Sequence, residues 1–334
     1  MALQIRNAIL HILRNDGPAS VFSEAELDID SEICEAFIQK HVKKLINNPA
    51  VRTANFKSEA ELYELLGAYQ NGAKHFKETA LTIAEKMDAI MKKYTAIPPC
   101  DMLIARVGVS STRGSGGEYL AILLLNYQEV YAHNSKDSDN QLQICNALPF
   151  SSGKVEFAAL VTLEGSAMPI NLIEKPVSID GNSVLYFSEL FLDCETSPSK
   201  KEQAKLIDEI TTEFVDEFFK SDPNVSAKIK TALLVEAEEE EGFVSMDNVA
   251  SKAFEDNDEV RAQYISTLRE AGVREDLPLG ERVVKQTFAT HKIKAENGVE
   301  IRFPAELAAI EEDLEITTYP DGTISVLCKN LRLV

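Results

Sequence analysis

The sequence has little of what marks a metal-binding or disulfide-rich protein. Its five cysteines and five histidines are scattered, with no Cys-x-x-Cys pair and no His-x-x-x-His or His-Glu-x-x-His spacing. Metal sites and disulfide frameworks depend on ligands or cysteines at such fixed spacings. We therefore expect reduced, mostly buried thiols, no metal site and no cofactor.

Long apolar stretches and targeting signals are also missing. The longest apolar run, residues 119–126, is far shorter than the about 20 residues that a membrane span needs. The first residues lack the basic region, apolar stretch and small-residue cleavage site of a signal peptide. The 334 residues are 45% apolar, which suits two or three domains with real cores. We expect a cytoplasmic protein without a membrane partner.

Acidic side chains outnumber basic ones by 54 to 34, which gives a formal net charge of −20. Residues 1–97 carry a net charge of −1, residues 98–194 carry −6, residues 195–290 carry −10 and residues 291–334 carry −3. Because DNA is a polyanion, this balance argues against coating DNA along the whole chain. It allows a local DNA contact in the first segment and a protein-facing acidic surface in the third.

Helical periodicity dominates residues 1–97, which we predict as a mainly helical N-terminal segment. Apolar residues recur at helix spacing from about 31 to 47, through residues 62–69 and through residues 76–94. The last pattern stops before two prolines. The first dozen residues are ambiguous, because their apolar positions suit either a helix or a buried strand.

Residues 98–194 have the composition of strands and are predicted as an antiparallel β region. Two strand candidates, 102–109 and 119–132, flank a glycine-rich loop and indicate a hairpin. Further strand candidates are 141–148, 155–163 and 184–192. Connections this short cannot hold crossover helices, so the sheet is antiparallel and the fold class is α+β.

Residues 195–290 return to helical patterns, and residues 291–334 return to strands. Ser199 and Glu202 stand at capping-box spacing where the first of these helices begins. Further helices are predicted at 225–240, 246–255, 258–271 and 281–290, and strands at 292–294, 299–303, 314–318 and 323–328. Pro320-Asp-Gly322 supplies a turn between the last two strands. The predicted order is N-terminal helices, a central antiparallel sheet, an acidic helical region and C-terminal β-strands.

The glycine-rich loop 108–117 invites a phosphate-binding interpretation. Its glycines, its hydroxyl residues and Arg113 suit anion binding by backbone N–H groups. It lacks the Gly-Lys-[Ser/Thr] ending of a P-loop and leads into a strand, which favours a hairpin loop and leaves a phosphate contact by Arg113 open. Ser110, Ser111 and Ser115 have no identifiable histidine partner, so no nucleophile–base pair is proposed.

Basic residues concentrate around the first predicted helix. Lys40, Lys43 and Lys44 share one side of it, and Arg52 and Lys57 follow just beyond. Such a cluster would neutralise several phosphates, which is enough for salt-sensitive, sequence-tolerant DNA binding. Lysines at these spacings are also common on solvated helix faces, and no recognition-helix motif or basic arm accompanies them. Both interpretations stay open. Lysines 74, 77, 92 and 93 flank the third predicted helix.

An acidic run from Glu236 to Glu241, interrupted by Ala237, is the only biased stretch of the sequence. Its carboxylates would coordinate a divalent cation, mimic a phosphate backbone toward a basic partner, or form a solvated helix end. The spacing differs from the alternating Asp-x-Asp-x-Asp of a calcium loop, which weakens the metal interpretation.

Three stretches resemble a known family. They are Tyr119-Leu-Ala-Ile-Leu-Leu-Leu-Asn126, then Tyr186-Phe-Ser-Glu-Leu-Phe-Leu192 with the helix that reaches Val215-Asp-Glu-Phe-Phe219, and finally Gly298-Val-Glu-Ile-Arg-Phe303 with Asp321-Gly-Thr-Ile-Ser-Val326 and the closing Asn330-Leu-Arg. With the order of segments and the mass of 37.0 kDa, they make the chain similar to the bacterial 37 kDa nucleoid-associated protein family over nearly its full length.

The resemblance implies a cytoplasmic bacterial protein of the nucleoid that binds duplex DNA non-specifically and has no catalytic activity. It also implies contacts with proteins of DNA topology. The candidate DNA-binding residues are Lys40, Lys43, Lys44, Arg52, Lys57 and Arg113. The alternative is an acidic adaptor recruited to the nucleoid through such a partner, and a third hypothesis is an enzyme with a composite site. A homodimer would help either binding role by presenting two weak sites together.

Overall fold

The computed structural model describes residues 2–15, 17–110, 116–126, 128–136, 139–148, 155–255, 257–309, 313–319, 323–330 and 332. The chain divides into two compact units, Met1–Ser197 and Pro198–Val334. The first unit has strands β1 (Ala2–Leu13), β2 (Arg52–Phe56), β3 (Cys100–Ser110), β4 (Gly117–Leu125), β5 (Gln128–Lys136), β6 (Asp139–Ala147), β7 (Phe157–Thr162), β8 (Ile170–Ile173), β9 (Val177–Ile179), β10 (Asn182–Val184) and β11 (Cys194–Thr196). Its helices are α1 (Glu32–Asn47), α2 (Glu61–Gln70), α3 (Phe76–Lys93) and a π-helix (Phe187–Leu192).

Seven strands of the first unit form one sheet in the order β1-β3-β4-β7-β8-β2-β11. Every pairing in it is antiparallel. In the centre, Ile104 of β3 stands opposite Ile9 of β1 on one side and Ile122 of β4 on the other. The predicted α+β class and the predicted antiparallel hairpin are therefore confirmed.

Both faces of this sheet are buried. Ile104 and Ile122 face a core that α2, α3 and the π-helix complete. Their neighbours Leu103 and Leu123 face a second core, which α1 completes on the other side. Because successive side chains of a strand alternate between faces, a strand covered on both sides needs apolar residues at nearly every position. This explains the uninterrupted apolar run of β4.

The first hundred residues contain strands as well as helices. The three predicted helices are present as α1, α2 and α3. The ambiguous first dozen residues form β1, and residues 52–56 form β2, which the sequence did not reveal. β1 pairs with β3 over almost its whole length, with a bulge at Arg6. Its apolar residues are needed on both faces of the sheet, so their spacing does not favour a strand over a helix.

Two predicted strands need correction. The strand over 184–192 is wrong, since most of that range forms the π-helix, which buries Phe187, Phe191 and Leu192 and ends at Asp193 with φ of 54°. The phenylalanines and leucines of this segment are also common in strands, so its composition alone predicts a strand. The single strand over 119–132 is two strands, because β4 belongs to the large sheet and β5 pairs with β6.

The second unit is a helical core with short hairpins. Its elements are α4 (Lys200–Phe219), α5 (Pro223–Glu239), β12 (Val244–Ser245), α6 (Met246–Ala253), α7 (Asp258–Glu270), β13 (Asp276–Leu277), α8 (Glu281–Phe288), β14 (Thr290–Lys294), β15 (Glu300–Pro304), a 3-10 helix (Ala305–Ala309), β16 (Leu314–Thr318) and β17 (Ile324–Cys328). All predicted helices and strands of this region are present. The predicted turn at residues 320–322 lies outside the described residues.

Aromatic side chains from three helices meet in the core of this unit. The Phe214 ring packs against those of Phe254 and Tyr264. The hydroxyl groups of Tyr264 and Thr211 are 2.7 Å apart, so the buried phenol has a hydrogen-bond partner. None of the helices in the described part of the chain combines the length and apolar character that crossing a membrane requires.

The capping box at the start of α4 gives a direct stability test. The Ser199 hydroxyl accepts a hydrogen bond from the Glu202 amide at 3.2 Å, and the Ser199 amide donates to Glu202 Oε2 at 2.8 Å. We expect Ser199→Ala to lower the free energy of unfolding by about 1 kcal/mol, measured by urea denaturation. Ser266→Ala is the control, because this half-buried serine of α7 makes only a hydrogen bond to Glu270 one turn later, and it should change the free energy of unfolding by only a few tenths. Equal effects of both substitutions would contradict the capping role.

Candidate nucleic-acid interface

The three lysines of the first predicted helix lie together on α1. Ile38, Val42 and Leu45 bury one stripe of this helix against the sheet. Lys40 is exposed, and Lys43 and Lys44 are half-buried beside that stripe. The helix begins with Glu32 and Glu35 in its first turn, so its charges run from acidic to basic along its axis. This order complements the helix dipole, which also stabilises such lysines on an ordinary surface helix.

Two of these lysines contact no carboxylate within the described part of the chain. Lys43 Nζ donates to Gln39 Oε1 at 3.1 Å, and Gln39 Nε2 in turn donates to Glu35 Oε1 and to the Leu3 carbonyl. Lys40 has no hydrogen bond or ion pair there. Because a neutral amide leaves the ammonium charge intact, both cations are available to an anion.

His41 adds no charge to this side of the helix. Its ring is buried and lies edge-on to Phe37, with the centroids 4.5 Å apart. Burial, and then the nearby Lys44 ammonium, hold the pKa of His41 below its usual range. The imidazole is therefore neutral at pH 7, and the positive charge of this region comes from the lysines.

Arg52 and Lys57 each form an ion pair within the first unit. Arg52 Nη1 lies 3.8 Å from Glu174 Oε1, and the Glu174 side chain is 0% exposed. Lys57 Nζ lies 2.6 Å from Asp193 Oδ1, just past the π-helix. The other Glu174 oxygen accepts the backbone N–H of Ser188 at the start of that helix. Both basic residues thus tie β2 to the segment that carries the π-helix.

Burial raises the pKa of Glu174, while hydrogen bonds from Ser188 and the Arg52 charge oppose that rise. Hydrogen bonding to Asp193 raises the pKa of Lys57. Each of the two basic residues therefore has a carboxylate partner, in contrast to Lys40 and Lys43. Arg113, the sixth candidate, lies outside the described residues.

The lysines in and just before α3 are on the other side of the sheet from those of α1. Lys74 pairs with Glu78 at 2.8 Å, and Lys92 pairs with Asp88 at 2.7 Å. Lys93 lies over the Tyr94 ring, 5.0 Å from its centroid. Since α1 and α3 cover opposite faces, the two groups of lysines do not form one surface.

A pair of arginines lies at a place that no pattern in the sequence indicates. Arg6 Nε and Arg106 Nε lie 3.4 Å and 2.8 Å from the two oxygens of Glu118. The three residues come from β1, β3 and β4, so only the strand register brings them together. Glu164 also reaches this place, where its carboxylate accepts the Glu118 backbone N–H. With two arginines and two carboxylates, the group is neutral and is a weaker anion site than the α1 lysines.

In the acidic run of the second unit, one glutamate side chain is buried and the others are exposed. Glu236 is buried and accepts from Lys252 Nζ at 2.6 Å and Asn248 Nδ2 at 2.8 Å. Burial alone would raise the pKa of Glu236, but these bonds outweigh it and hold the pKa below its usual range. Glu239 also pairs with Lys252. The remaining glutamates of the run are exposed.

The described residues contain no group of three or more His, Cys, Asp or Glu side chains that would hold a metal ion. Burial raises the pKa of Asp101 to about 6, but this side chain, like that of Glu174, is buried within the fold of the first unit. A depression of about 540 Å³ between α2 and residues 165–168 has Glu64 as the sole carboxylate among its described lining residues. Neither the two buried carboxyl groups nor this depression therefore provides an acid and a base side by side in an open cleft.

Comparison with known protein families matches residues 9–333, nearly the whole chain. The matched family and the α+β fold define a nucleoid-associated protein. The chain belongs to the family described as Nucleoid-associated protein YejK, and the resemblance seen in the sequence is confirmed. That description names a nucleoid role and no enzymatic activity. No curated protein matches the chain.

The contact between Arg52 and Glu174 can be tested through stability. We expect Arg52→Met to lower the free energy of unfolding by about 2 kcal/mol or more at pH 8, because it leaves a buried carboxylate without its cation. Lys57→Met is the control and should have a much smaller effect, since both partners of that pair are partly exposed to solvent. Urea unfolding followed by circular dichroism measures both.

The protonation of Glu174 determines how the destabilisation caused by Arg52→Met changes with pH. Burial raises the pKa of Glu174 above its ordinary value of 4.5, and loss of Arg52 raises the pKa further. A carboxyl group with a raised pKa in the folded state lowers stability as the pH rises through that pKa. The destabilisation by Arg52→Met should therefore be small near pH 4 and large at pH 8. The same loss at both values would contradict the assignment.

Proposed function

We propose that the protein binds duplex DNA non-specifically through the lysine face of α1, defined as Lys40, Lys43 and Lys44. The observation that supports it best is that Lys40 and Lys43 contact no carboxylate in the described part of the chain, in a protein with 20 more acidic than basic groups. The nucleoid role of the family supports it independently. Arg52 and Lys57 are left out of the interface because carboxylates hold them.

Electrostatic screening explains how an acidic protein would bind a polyanion. At physiological ionic strength, charges more than about 8 Å apart interact weakly across solvent. Contacting phosphates therefore interact mainly with the lysine face, while distant carboxylates reduce the association rate. Contacts made by ammonium groups to phosphates carry no sequence information, so binding is non-specific. In this proposal the protein acts in the bacterial cytoplasm by binding alone, without catalysis.

The test is a salt titration of binding to a random 30-base-pair duplex, measured by fluorescence anisotropy. Three phosphate contacts predict that the logarithm of the association constant falls with the logarithm of salt concentration with a slope of about −2.7. We expect K40E/K43E/K44E to weaken binding at least about 10-fold at 50 mM salt and to flatten this slope, because the contacts become repulsive.

The matched control is K200E/K201E/K205E at the start of α4, where all three lysines are exposed. It changes the net charge by the same amount and leaves the lysine face intact. We expect this variant to bind DNA nearly as well as the unmodified protein. If both variants lose the same affinity, net charge rather than α1 determines binding. If the unmodified protein binds no duplex at 50 mM salt, the proposal of direct binding fails.

A second candidate function is that of an adaptor that reaches the nucleoid through a protein of DNA topology. Glu238, Glu240 and Glu241 are exposed, and the exposed ring of Phe243 follows them. The turn that follows the end of α5 is held to the start of α8, because the Gly242 carbonyl accepts the Gly280 amide at 2.7 Å. The second unit has a net charge of −12. A fixed acidic turn beside an aromatic ring suits docking onto a basic protein surface.

This adaptor role predicts capture of partner proteins without DNA. We expect the tagged protein to retain specific proteins from a nuclease-treated bacterial lysate, and E238Q/E240Q/E241Q to lose them, because the charges that steer docking are gone. The control is E209Q/E213Q/E217Q, which removes three exposed charges from α4. Loss of every captured protein after nuclease treatment would contradict the adaptor role and favour direct DNA binding.

A further inference from the structure

A depression of about 540 Å³ lies on the first unit between α2 and the loop 165–168. Side chains of α2 hold this loop in place. The Tyr63 hydroxyl donates to the Ser166 carbonyl at 3.0 Å, and Gln70 Nε2 donates to the Gly165 carbonyl at 3.1 Å. Both walls are therefore formed before any ligand arrives, as is usual for sites that bind small molecules.

Gly67 lies midway along the helical wall of this depression, between Glu64 and Asn71. In a helix, glycine is less favourable than any residue except proline. A Cβ at this position would meet nothing within 4 Å beyond its own helix in the described part of the chain, so packing does not require a glycine. On the loop side, the buried Met168 has a φ of 42°, a left-handed conformation that is uncommon outside glycine and that clusters at ligand sites. Two features that cost stability thus meet at one place, which indicates a role beyond folding.

The polar side chains along this wall present oxygens at its two ends. The Glu64 carboxylate stands at one end, and Gln70 Oε1 and the side-chain carbonyl of Asn71 stand at the other. None of these oxygens has a hydrogen-bond donor within the described residues. Six or seven helix residues separate the two ends, which corresponds to about 10 Å. No described residue that lines the depression is a lysine, arginine or histidine. The site therefore offers two separate sets of acceptors and no cation.

These features select the chemistry of the ligand. A primary ammonium group has three N–H donors and no acceptor, so it complements carboxylate and amide oxygens. A divalent metal ion takes several oxygens around one point, and the described residues contain no group of three His, Cys, Asp or Glu side chains that would hold one. Between the two ends the lining is apolar, with Gly67, Ala68 and Met168, and suits a hydrocarbon chain.

We propose that the depression binds a linear aliphatic diamine or polyamine that lies along α2 across Gly67. One ammonium group contacts Glu64, and a second contacts the Gln70 and Asn71 oxygens. The hydrocarbon chain between them covers Met168, as the stem of a lysine covers apolar surface. The net charge of −20 favours the encounter, because it attracts cations to the protein. This site takes a polycation, and it differs in chemistry from the lysine face, which takes a polyanion.

The test is a titration of the unmodified protein with α,ω-diamines whose chains run from propane to octane. Binding is followed through the NMR signals of the backbone amides of residues 61–71 and 165–168. We expect the tightest binding, with a dissociation constant of about 1 mM or lower, for chains of about six to eight carbons, because these span the two ends. Heptylamine, which lacks the second ammonium group, should bind at least about 3-fold more weakly than diaminoheptane. Equal affinity for every chain length overturns the proposal, as does the absence of binding at about 10 mM diamine.

Three variants locate the site with diaminoheptane as the ligand. E64Q removes one anchoring charge and should weaken binding about 5-fold. G67L fills the space that the hydrocarbon chain would cross and should weaken binding at least about 10-fold. The matched control is E59Q, which removes another exposed carboxylate just before α2 and should change the affinity less than about 2-fold. Equal losses in E64Q and E59Q would show attraction by net charge alone and overturn the assignment.

Gly67→Ala gives a test that needs no ligand. We expect the unfolding equilibrium constant, measured in urea, to fall about 4-fold, because alanine is the better helix former and its Cβ meets no neighbour. A rise would show that the fold itself needs the glycine and would overturn the assignment of this space to a ligand. The lysine face of α1 lies across the sheet from α2. DNA binding and diamine binding are therefore measured separately, and failure of either proposal leaves the other standing.

Discussion

The first unit depends on one constraint, which is that its seven-stranded sheet must be covered on both faces. β3 and β4 carry apolar residues toward both sides, so exposing either face would leave a large apolar surface in water. Helix α1 covers one face, and α2, α3 and the π-helix cover the other. This division decides the distribution of charge as well, because the lysines of α1 and those of α3 are carried to opposite sides. A single continuous basic surface is therefore excluded by the packing of the core.

The basic residues of the N-terminal segment divide into two groups by their partners. Arg52 and Lys57 meet Glu174 and Asp193, which are far away in sequence, and they hold β2 against the segment of the π-helix. Lys40 and Lys43 meet no carboxylate in the described part of the chain. A cation already paired with a carboxylate has less to offer a phosphate, because binding would break an existing contact, and this holds most for Arg52, whose partner Glu174 is buried. The same reasoning divides the acidic run, where Glu236 and Glu239 share Lys252 and the exposed Glu238, Glu240 and Glu241 remain for a partner.

The lysine face would bind a polyanion through charge, and its affinity would depend steeply on salt. A dimer that presents two weak lysine faces would bind DNA more tightly than either face alone, since the second contact is intramolecular. Such avidity would offset the long-range repulsion between DNA and a protein of net charge −20.

The sequence by itself determined the α+β class, the helices α1 to α8, the capping box of Ser199 and Glu202, and the family. These features follow from local periodicity, from capping and from patterns within short stretches of chain. Tertiary structure decided the rest. The apolar pattern of β1 suits a helix as well as a strand, and that of the π-helix predicts a strand, because burial on all sides removes the period that distinguishes helix from strand. Only the folded chain shows that Arg52 contacts Glu174, and that Tyr131, Leu142 and Ile144 share an uncovered face. Such contacts join residues distant in sequence, and only the sheet register brings them together.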